Sequence, residues 1–353
     1  MPKLLVMAGG TGGHIYPGVA VAEALRLRGW SVAWMGNANG MEGNIVPQLG
    51  YELAWIRFGA LRGKGMLRAL MLPMNLLRGF WQALWAIRRV RPNVVLGMGG
   101  YVTFPGGMMA ALLGRPFVVH EQNSVAGLAN RVLASVADKV VGGFPNVIKR
   151  AEWLGNPVRA DIAAIPEPAH RFADRSGPLK VLVVGGSLGA QALNTVVPQA
   201  LVMIPHTARP LVTHQSGTKQ LDALREAYAQ AGVGGELLAY IDDMAERYAQ
   251  ADVVICRAGA LTIAELSAAG VASILIPFPH AVDDHQTSNA RFLAERGAAE
   301  LLPQSQLTPL ALAKLLQSLE RARLLKMAQA ARDLARPHAA DAVADICAAL
   351  AKP

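Results

Sequence analysis

The chain has 353 residues, of which 52% are hydrophobic and only 17% charged, and its formal net charge is +9. That length suits two domains, each large enough for its own core, and the composition excludes a disordered, collagen-like or coiled-coil chain. Two cysteines, Cys256 and Cys347, exclude a disulfide framework and a cysteine-rich zinc site and fit a reducing compartment.

Met1-Pro2-Lys3 opens onto an apolar run, Leu4 to Ala8, that is shorter than the roughly 7–15 residues of a secretory core, so export is not expected. Lys3 to Ala8 reads as a short strand, Gly9-Gly10-Thr11-Gly12-Gly13-His14 as a glycine turn, Val19 to Arg28 as an amphipathic helix and Ser31 to Met35 as the next strand. No Asp or Glu occurs between Glu52 and Glu121, yet nine basic residues do: Arg57, Arg62, Lys64, Arg68, Arg78, Arg88, Arg89, Arg91 and Arg115. The remaining 25 basic residues balance the 25 acidic ones, so the excess charge is one local patch and calls for an anionic partner surface.

The same stretch holds the most lipophilic segment, Met66 to Val90, where Leu77, Phe80, Trp81, Leu84, Trp85 and Ile87 recur at helical spacing. Pro73 is expected to start a helix there and to break a longer one. A membrane-spanning helix would bury Arg78 near its centre at about 2.5–3.5 kcal/mol. A core helix would bury the aromatic face. An interfacial helix would place Trp and Phe at the acyl boundary and Arg on anionic headgroups, and this reading is preferred. Nucleic acid is not expected as a partner, because the arginines interleave with aliphatic side chains rather than with stacking platforms.

Strands follow at Val94 to Gly97, Pro116 to His120 and Lys139 to Gly142, with glycines at Gly97, Gly99 and Gly100. A proline-bearing linker runs from Gly155-Asn156-Pro157 to Pro168, after which the pattern restarts. Leu179 to Val184 is a strand, Gly185-Gly186-Ser187-Leu188-Gly189-Ala190 a glycine turn, and a helix begins at Gln191. Further strands are Val253 to Cys256 and Ser273 to Ile276, and an Ala-rich helical stretch from Leu324 is interrupted at Pro337. The two strand-plus-glycine openings lie half a chain apart, as expected of two doubly wound α/β domains with parallel sheets.

A glycine turn between strand and helix lets backbone N–H groups approach an anion at the positive end of the helix dipole. The first turn lacks the Lys-Ser/Thr of a P-loop and the G-x-G-x-x-G spacing, and Asn37 and Asn39 stand near the place of the ribose-binding acid, so a nicotinamide-dependent oxidoreductase fits poorly. His14, at the helix start, is either a capping and packing residue or a base beside a diphosphate. His120-Glu121-Gln122-Asn123 closes a strand, where Glu121 could take a proton and Asn123 could bond a sugar, or where all four merely solvate the strand end. Gly259 and Ala260 would admit a phosphate to a helix start, and Glu265 could hold both hydroxyls of a ribose. The pairs Asp242-Asp243 and Asp283-Asp284 read as caps or sugar contacts rather than metal ligands, and Cys256 as an inert core thiol.

Taken together, GGTGGHIYPG, GMGGY with the nearby Pro105, HEQNSVAGLANR, GNPVR, GGSLGAQALN, YIDDM, CRAGALTIAEL and DDHQTSNA resemble the MurG-type family of undecaprenyl-diphospho-muramoylpentapeptide β-N-acetylglucosaminyltransferases, in order and over nearly the whole chain. The resemblance implies a GT-B fold, two Rossmann-like domains facing a cleft. It implies an acceptor and membrane-associating domain at 1–159 completed by 337–353, and a donor domain at 160–336. The family moves N-acetylglucosamine from UDP-N-acetylglucosamine to lipid I, making lipid II, at the cytoplasmic face of the membrane. It implies no cofactor and no metal, and partners among cell-wall and division proteins. By position, Thr11, Gly12, Gly13 and Asn123 would lie near the sugar, and Arg159 and Ser187 near the uridine diphosphate. The Ile241 backbone would read the uracil edge. Ala260, Leu261, Thr262, Ile263, Ala264 and Glu265 would hold diphosphate and ribose, and Gln286 would touch the sugar. Leu188 stands where the family often has Gln, which leaves a backbone cradle there. His14 is the first candidate base and Glu121 the second. Leu77, Arg78, Phe80, Trp81, Leu84 and Trp85 would meet the membrane. Three rivals remain: a UDP-N-acetylglucosamine 2-epimerase, a transferase acting on diacylglycerol, and a non-enzymatic basic scaffold that binds membrane or nucleic acid.

Overall fold

The computed structural model describes residues 1–58, 66–186 and 189–352, and of 66–72 the backbone path alone. Expectations placed on Arg62, Lys64, Ser187, Leu188 and the Arg68 side chain lie outside the described residues. The chain divides into two compact units, Met1–Arg159 with Arg336–Pro353, and Ala160–Ala335.

The first unit is built on seven parallel strands: β1 (Lys3–Ala8), β2 (Ser31–Gly36), β3 (Glu52–Trp55), β4 (Val94–Gly99), β5 (Phe117–Glu121), β6 (Lys139–Gly142) and β7 (Glu152–Trp153), in the order β3-β2-β1-β4-β5-β6-β7. β1 is apolar without alternation because both faces are covered. Leu4 and Val6 join the layer that holds the helices Gly12–Leu27 and Ala339–Leu350, while Leu5 and Met7 join the layer of Met66–Val90 and Thr103–Leu112. The last helix belongs fully to this core: Val343, Ala344 and Cys347 are 0% exposed. Arg28 reaches its Asp341 at 2.9 Å and also pairs with Asp345.

The second unit carries six parallel strands: β8 (Lys180–Val184), β9 (Leu211–Gln215), β10 (Glu236–Leu238), β11 (Val253–Cys256), β12 (Ala272–Leu275) and β13 (Ala299–Leu301), in the order β10-β9-β8-β11-β12-β13. Counted from its own first strand, this is the order of the first six strands of the other sheet. Both are therefore doubly wound Rossmann-like sheets, as the sequence pattern implies.

Two expectations need correction. The helix expected from Val19 starts at Gly12, inside the glycine turn, so Gly12 and Gly13 supply first-turn N–H groups. Pro73 does not end a helix: Met66–Val90 is continuous through it, with Pro73 exposed at the cost of one ladder hydrogen bond. That helix serves two surroundings. Ala83, Ala86, Ile87 and Val90 are buried, and Gly79 lies so close to the Phe58 ring that a Cβ would come within 2.6 Å. On the opposite face Met74, Leu77, Trp81 and Trp85 form a stripe at helical spacing, each 54–71% exposed. Phe80 and Leu84, expected on that stripe, are half-buried, and Phe80 packs against Phe104. Among the described residues no helix is long and apolar enough to cross a membrane.

Candidate functional site

In open parallel sheets, ligands bind beyond the carboxyl ends of the strands where the strand order reverses. That point lies between β1 and β4 in the first unit and between β8 and β11 in the second. Each of the four strand ends runs into one of the glycine-bearing motifs.

In the first unit the turns after β1 and β4 interlock. Gly10 and Gly100 take positive φ, and a Cβ on Gly100 would lie 2.2 Å from the Gly9 carbonyl oxygen. Beneath them lies a residue the sequence reading passed over. Glu42 is 0% exposed and accepts the N–H groups of Gly10 and Asn37, each at 3.0 Å, tying the ends of β1 and β2 together. Its carboxylate so fills the space that a Cβ on Gly9 would meet it at 2.3 Å. Thr11 precedes the helix in extended conformation and is exposed, with its side chain making no cap bond.

His14, the third residue of that helix, is partly exposed, with Nδ1 3.0 Å from Gln122 Oε1 just past the end of β5. The Gln122 amide nitrogen contacts His120 Nδ1 at 3.0 Å and donates to the His120 carbonyl at 3.1 Å. His120 Nε2 in turn lies 3.0 Å from the Gly155 carbonyl. Complete burial pushes the His120 ring down to about 4, so it is neutral at pH 7.

Glu121 points the other way and is 2% exposed. One oxygen accepts Asn123 N–H at 2.9 Å and the other accepts Gly127 N–H at 3.2 Å and Asn130 Nδ2 at 2.9 Å. The expectation of Glu121 as a second base is therefore corrected: its carboxylate is turned inward and occupied by donors of its own loop. Asn123 is partly exposed on that loop, and Arg159 is partly exposed at the end of the unit.

In the second unit Gly189 has positive φ and would place a Cβ 2.1 Å from the Ser216 carbonyl, so the turn after β8 closes tightly on the loop after β9. After β11, Gly259 enters the helix Ala260–Ala269 in extended conformation, a strand-to-helix start of the kind whose first turn can face an anion. Ala260 and Ile263 are buried, while Leu261, Thr262, Ala264 and Glu265 are partly exposed. Tyr248 donates to Glu265 at 3.2 Å. The Gln286 oxygen accepts Ala258 N–H at 3.2 Å and Phe278 N–H at 2.9 Å, which directs its role through the amide nitrogen. Arg257 is a brace: it donates to the Ile276 and Pro277 carbonyls at 3.1 and 3.2 Å and to Gln304 at 2.7 Å, locking the ends of β11 and β12 together. The Ile241 side chain is buried.

The paired acids are not helix caps by hydrogen bonding. Asp243 takes Arg247 at 2.9 Å, and Asp284 accepts the Thr287 hydroxyl at 2.7 Å. Cys256 is buried and burial pushes its thiol up to about 12, which makes it inert at neutral pH.

Paired Rossmann-like units with glycine turns at both reversal points define a two-domain α/β protein built for phosphorylated ligands. Residues 4–141 match the glycosyltransferase family 28 N-terminal domain, and residues 180–346 match the glycosyltransferase family 28 C-terminal domain. The UDP-N-acetylglucosamine–N-acetylmuramyl-(pentapeptide) pyrophosphoryl-undecaprenol N-acetylglucosamine transferase of Aromatoleum aromaticum is 72% identical over 351 residues, covering 99% of this chain and 98% of that one. The crystal structure of Acinetobacter baumannii MurG superposes with a TM-score of 0.86 at 39% identity, covering 99% of this chain and all of that one. A structure of S. aureus MnaA with UDP, at 12% identity and a TM-score of 0.66, covers 97% of this chain and 95% of that one and shares the fold alone. The chain belongs to the MurG family of glycosyltransferase family 28.

Proposed function

We propose that this chain transfers N-acetylglucosamine from UDP-N-acetylglucosamine to the muramoyl 4-hydroxyl of lipid I, forming lipid II in peptidoglycan synthesis. One observation carries the reading: a relative named for this transfer is 72% identical over 351 residues, a span that includes every motif at both reversal points.

The second unit binds the donor. Its glycine turn and the N-terminus of Ala260–Ala269 hold the diphosphate through backbone N–H groups, Glu265 takes the ribose hydroxyls, the Ile241 backbone reads the uracil and the Gln286 amide nitrogen addresses the sugar. Ile263 contributes backbone only, since its side chain is buried. The first unit carries the acceptor. The acceptor oxygen attacks the anomeric carbon, the bond from that carbon to the phosphate oxygen breaks, and UDP leaves with inversion. His14 receives the hydroxyl proton, and the helix dipole meets the charge growing on the departing diphosphate. Thr11, Gly12, Gly13 and Asn123 line the sugar's side, and Arg159 adds a cation near the diphosphate.

The exposed stripe of Leu77, Trp81 and Trp85 lies in the acyl boundary of an anionic membrane on its cytoplasmic face, with Arg78, Arg88 and Arg89 on headgroups. Phe80 and Leu84 support it from beneath. Cell-wall and division proteins are the partners that such a location brings within reach.

The test is direct. Purified protein given UDP-N-acetylglucosamine and lipid I should yield the disaccharide lipid and UDP. Formation of the manno epimer from donor alone, or transfer to diacylglycerol in preference to lipid I, overturns the reading.

A further inference from the structure

We propose that His120 and Gln122 are positioning residues that set the tautomer of His14, so that Nε2 bears the lone pair which receives the acceptor's proton. The inference rests on the reading of His14 as the base.

The argument starts from two atoms that can only accept hydrogen bonds, the carbonyl oxygens of Gly155 and His120. His120 Nε2 lies 3.0 Å from the first and so carries a hydrogen. A neutral ring then has its lone pair on Nδ1. The Gln122 amide nitrogen lies 3.0 Å from that Nδ1 and 3.1 Å from the His120 carbonyl oxygen, giving two acceptors for its two hydrogens. Turning the amide over would set its oxygen against both. The Gln122 oxygen must therefore face His14 Nδ1, at 3.0 Å, and an amide oxygen can only accept. Nδ1 of His14 carries the hydrogen, and Nε2 carries the lone pair.

The surroundings enforce this order. His120 and Gln122 are 0% and 1% exposed, so no water competes for the bonds. Asn156 Nδ2 holds the Gln122 carbonyl at 2.9 Å. Gly99 is bare where a Cβ would lie 2.7 Å from His14 Nδ1, which keeps that edge of the ring against Gln122. Gly155 has positive φ, and a Cβ there would lie 2.4 Å from that of Arg336, so the carbonyl that starts the relay is set by a glycine-only turn. A group that merely buttressed the loop would not need this donor–acceptor sequence.

The test reads the tautomer itself. The whole chain is labelled with 15N-histidine, and the His14 signal is assigned by its loss in His14→Ala. Wild type should show the Nδ1–H form of a neutral imidazole, and the Nε2–H form overturns the proposal. Gln122→Leu should turn that signal into a mixture of tautomers and lower kcat by about 10- to 100-fold, the scale for groups that orient a functional imidazole, with KM for UDP-N-acetylglucosamine unchanged. An unchanged tautomer in folded Gln122→Leu, or an equal loss through KM, overturns it. If that variant does not fold, the wild-type spectrum decides. Full turnover in His14→Ala would instead sink the reading of His14 as the base while leaving the tautomer result standing.

Discussion

Each unit keeps one neutral histidine deep behind its reversal point, and the two are wired differently. In the first unit His120 passes its polarity outward through Gln122 to the partly exposed ring of His14. In the second, His214 is closed in: it bonds Asn194 Oδ1 at 3.1 Å and the Tyr228 hydroxyl at 3.0 Å. Asn194 then donates to the Ser216 carbonyl at 3.2 Å and to Gln220 at 2.9 Å, the groups that crowd Gly189. Burial pushes both rings down, His120 to about 4 and His214 to about 3. The same desolvation thus serves two ends. One network backs the imidazole proposed to move a proton, and the other backs the turn whose backbone is proposed to hold the diphosphate.

The sharpest way to break this contrast is His14→Ala. Its turnover should fall by about 10²–10⁴-fold, the usual share of a general base, while UDP-N-acetylglucosamine binding by calorimetry is kept. Equal loss of both would move His14 to the binding side of the comparison.

Next is stability against pH. Both histidines bind a proton more weakly folded than unfolded, so the unfolded chain takes up protons first and stability is lost as the pH is lowered. The loss should begin below about 6.5 and, for His120, run down to about 4, amounting to about 3 kcal/mol. Hydrogen exchange followed separately in each unit checks it. A unit whose protection stays flat across that window loses its half of the parallel.

Glu265→Ala sharpens the other side. Removing a charged hydrogen-bond acceptor of about 1.5–3 kcal/mol should weaken donor binding about ten- to a hundredfold, with kcat at saturating donor nearly unchanged. A large fall in kcat at saturating donor would place chemistry in the second unit as well. The smallest effect is expected outside both networks. Changing Trp81 and Trp85 together to Ser should lower binding to anionic vesicles about tenfold, from the apolar area withdrawn, and leave the melting temperature unchanged. A lowered melting temperature would return that face to the core.

Much of this was legible in the sequence. β6 and β11 fall where Lys139 to Gly142 and Val253 to Cys256 place them, and the two glycine turns follow β1 and β8, because buried parallel strands read as apolar runs ended by glycine. The edge strands β7 and β10 are only two and three residues long, too short to leave a pattern. Within HEQN, Glu121 and Asn123 are the residues whose types suggest chemistry. Strand alternation sets His120 and Gln122 on the opposite face from these two, and that face meets His14. Glu42 was invisible for another reason. A lone acid in a polar stretch looks like surface, and only the fold brings Gly9, Gly36 and Gly40 around its carboxylate. Arg257 likewise has a part that only the fold reveals, as a brace between two strand ends.

The helix Ala339–Leu350 closes the core that begins with β1, while the whole second unit is spelled out between them. On a translating ribosome the middle of the message can therefore mature before either end of it is finished. Residues 1–159 wait, with part of their apolar interior uncovered, until residues 339–350 have been made. Shortening this chain by a dozen residues at its tail would injure the portion made first.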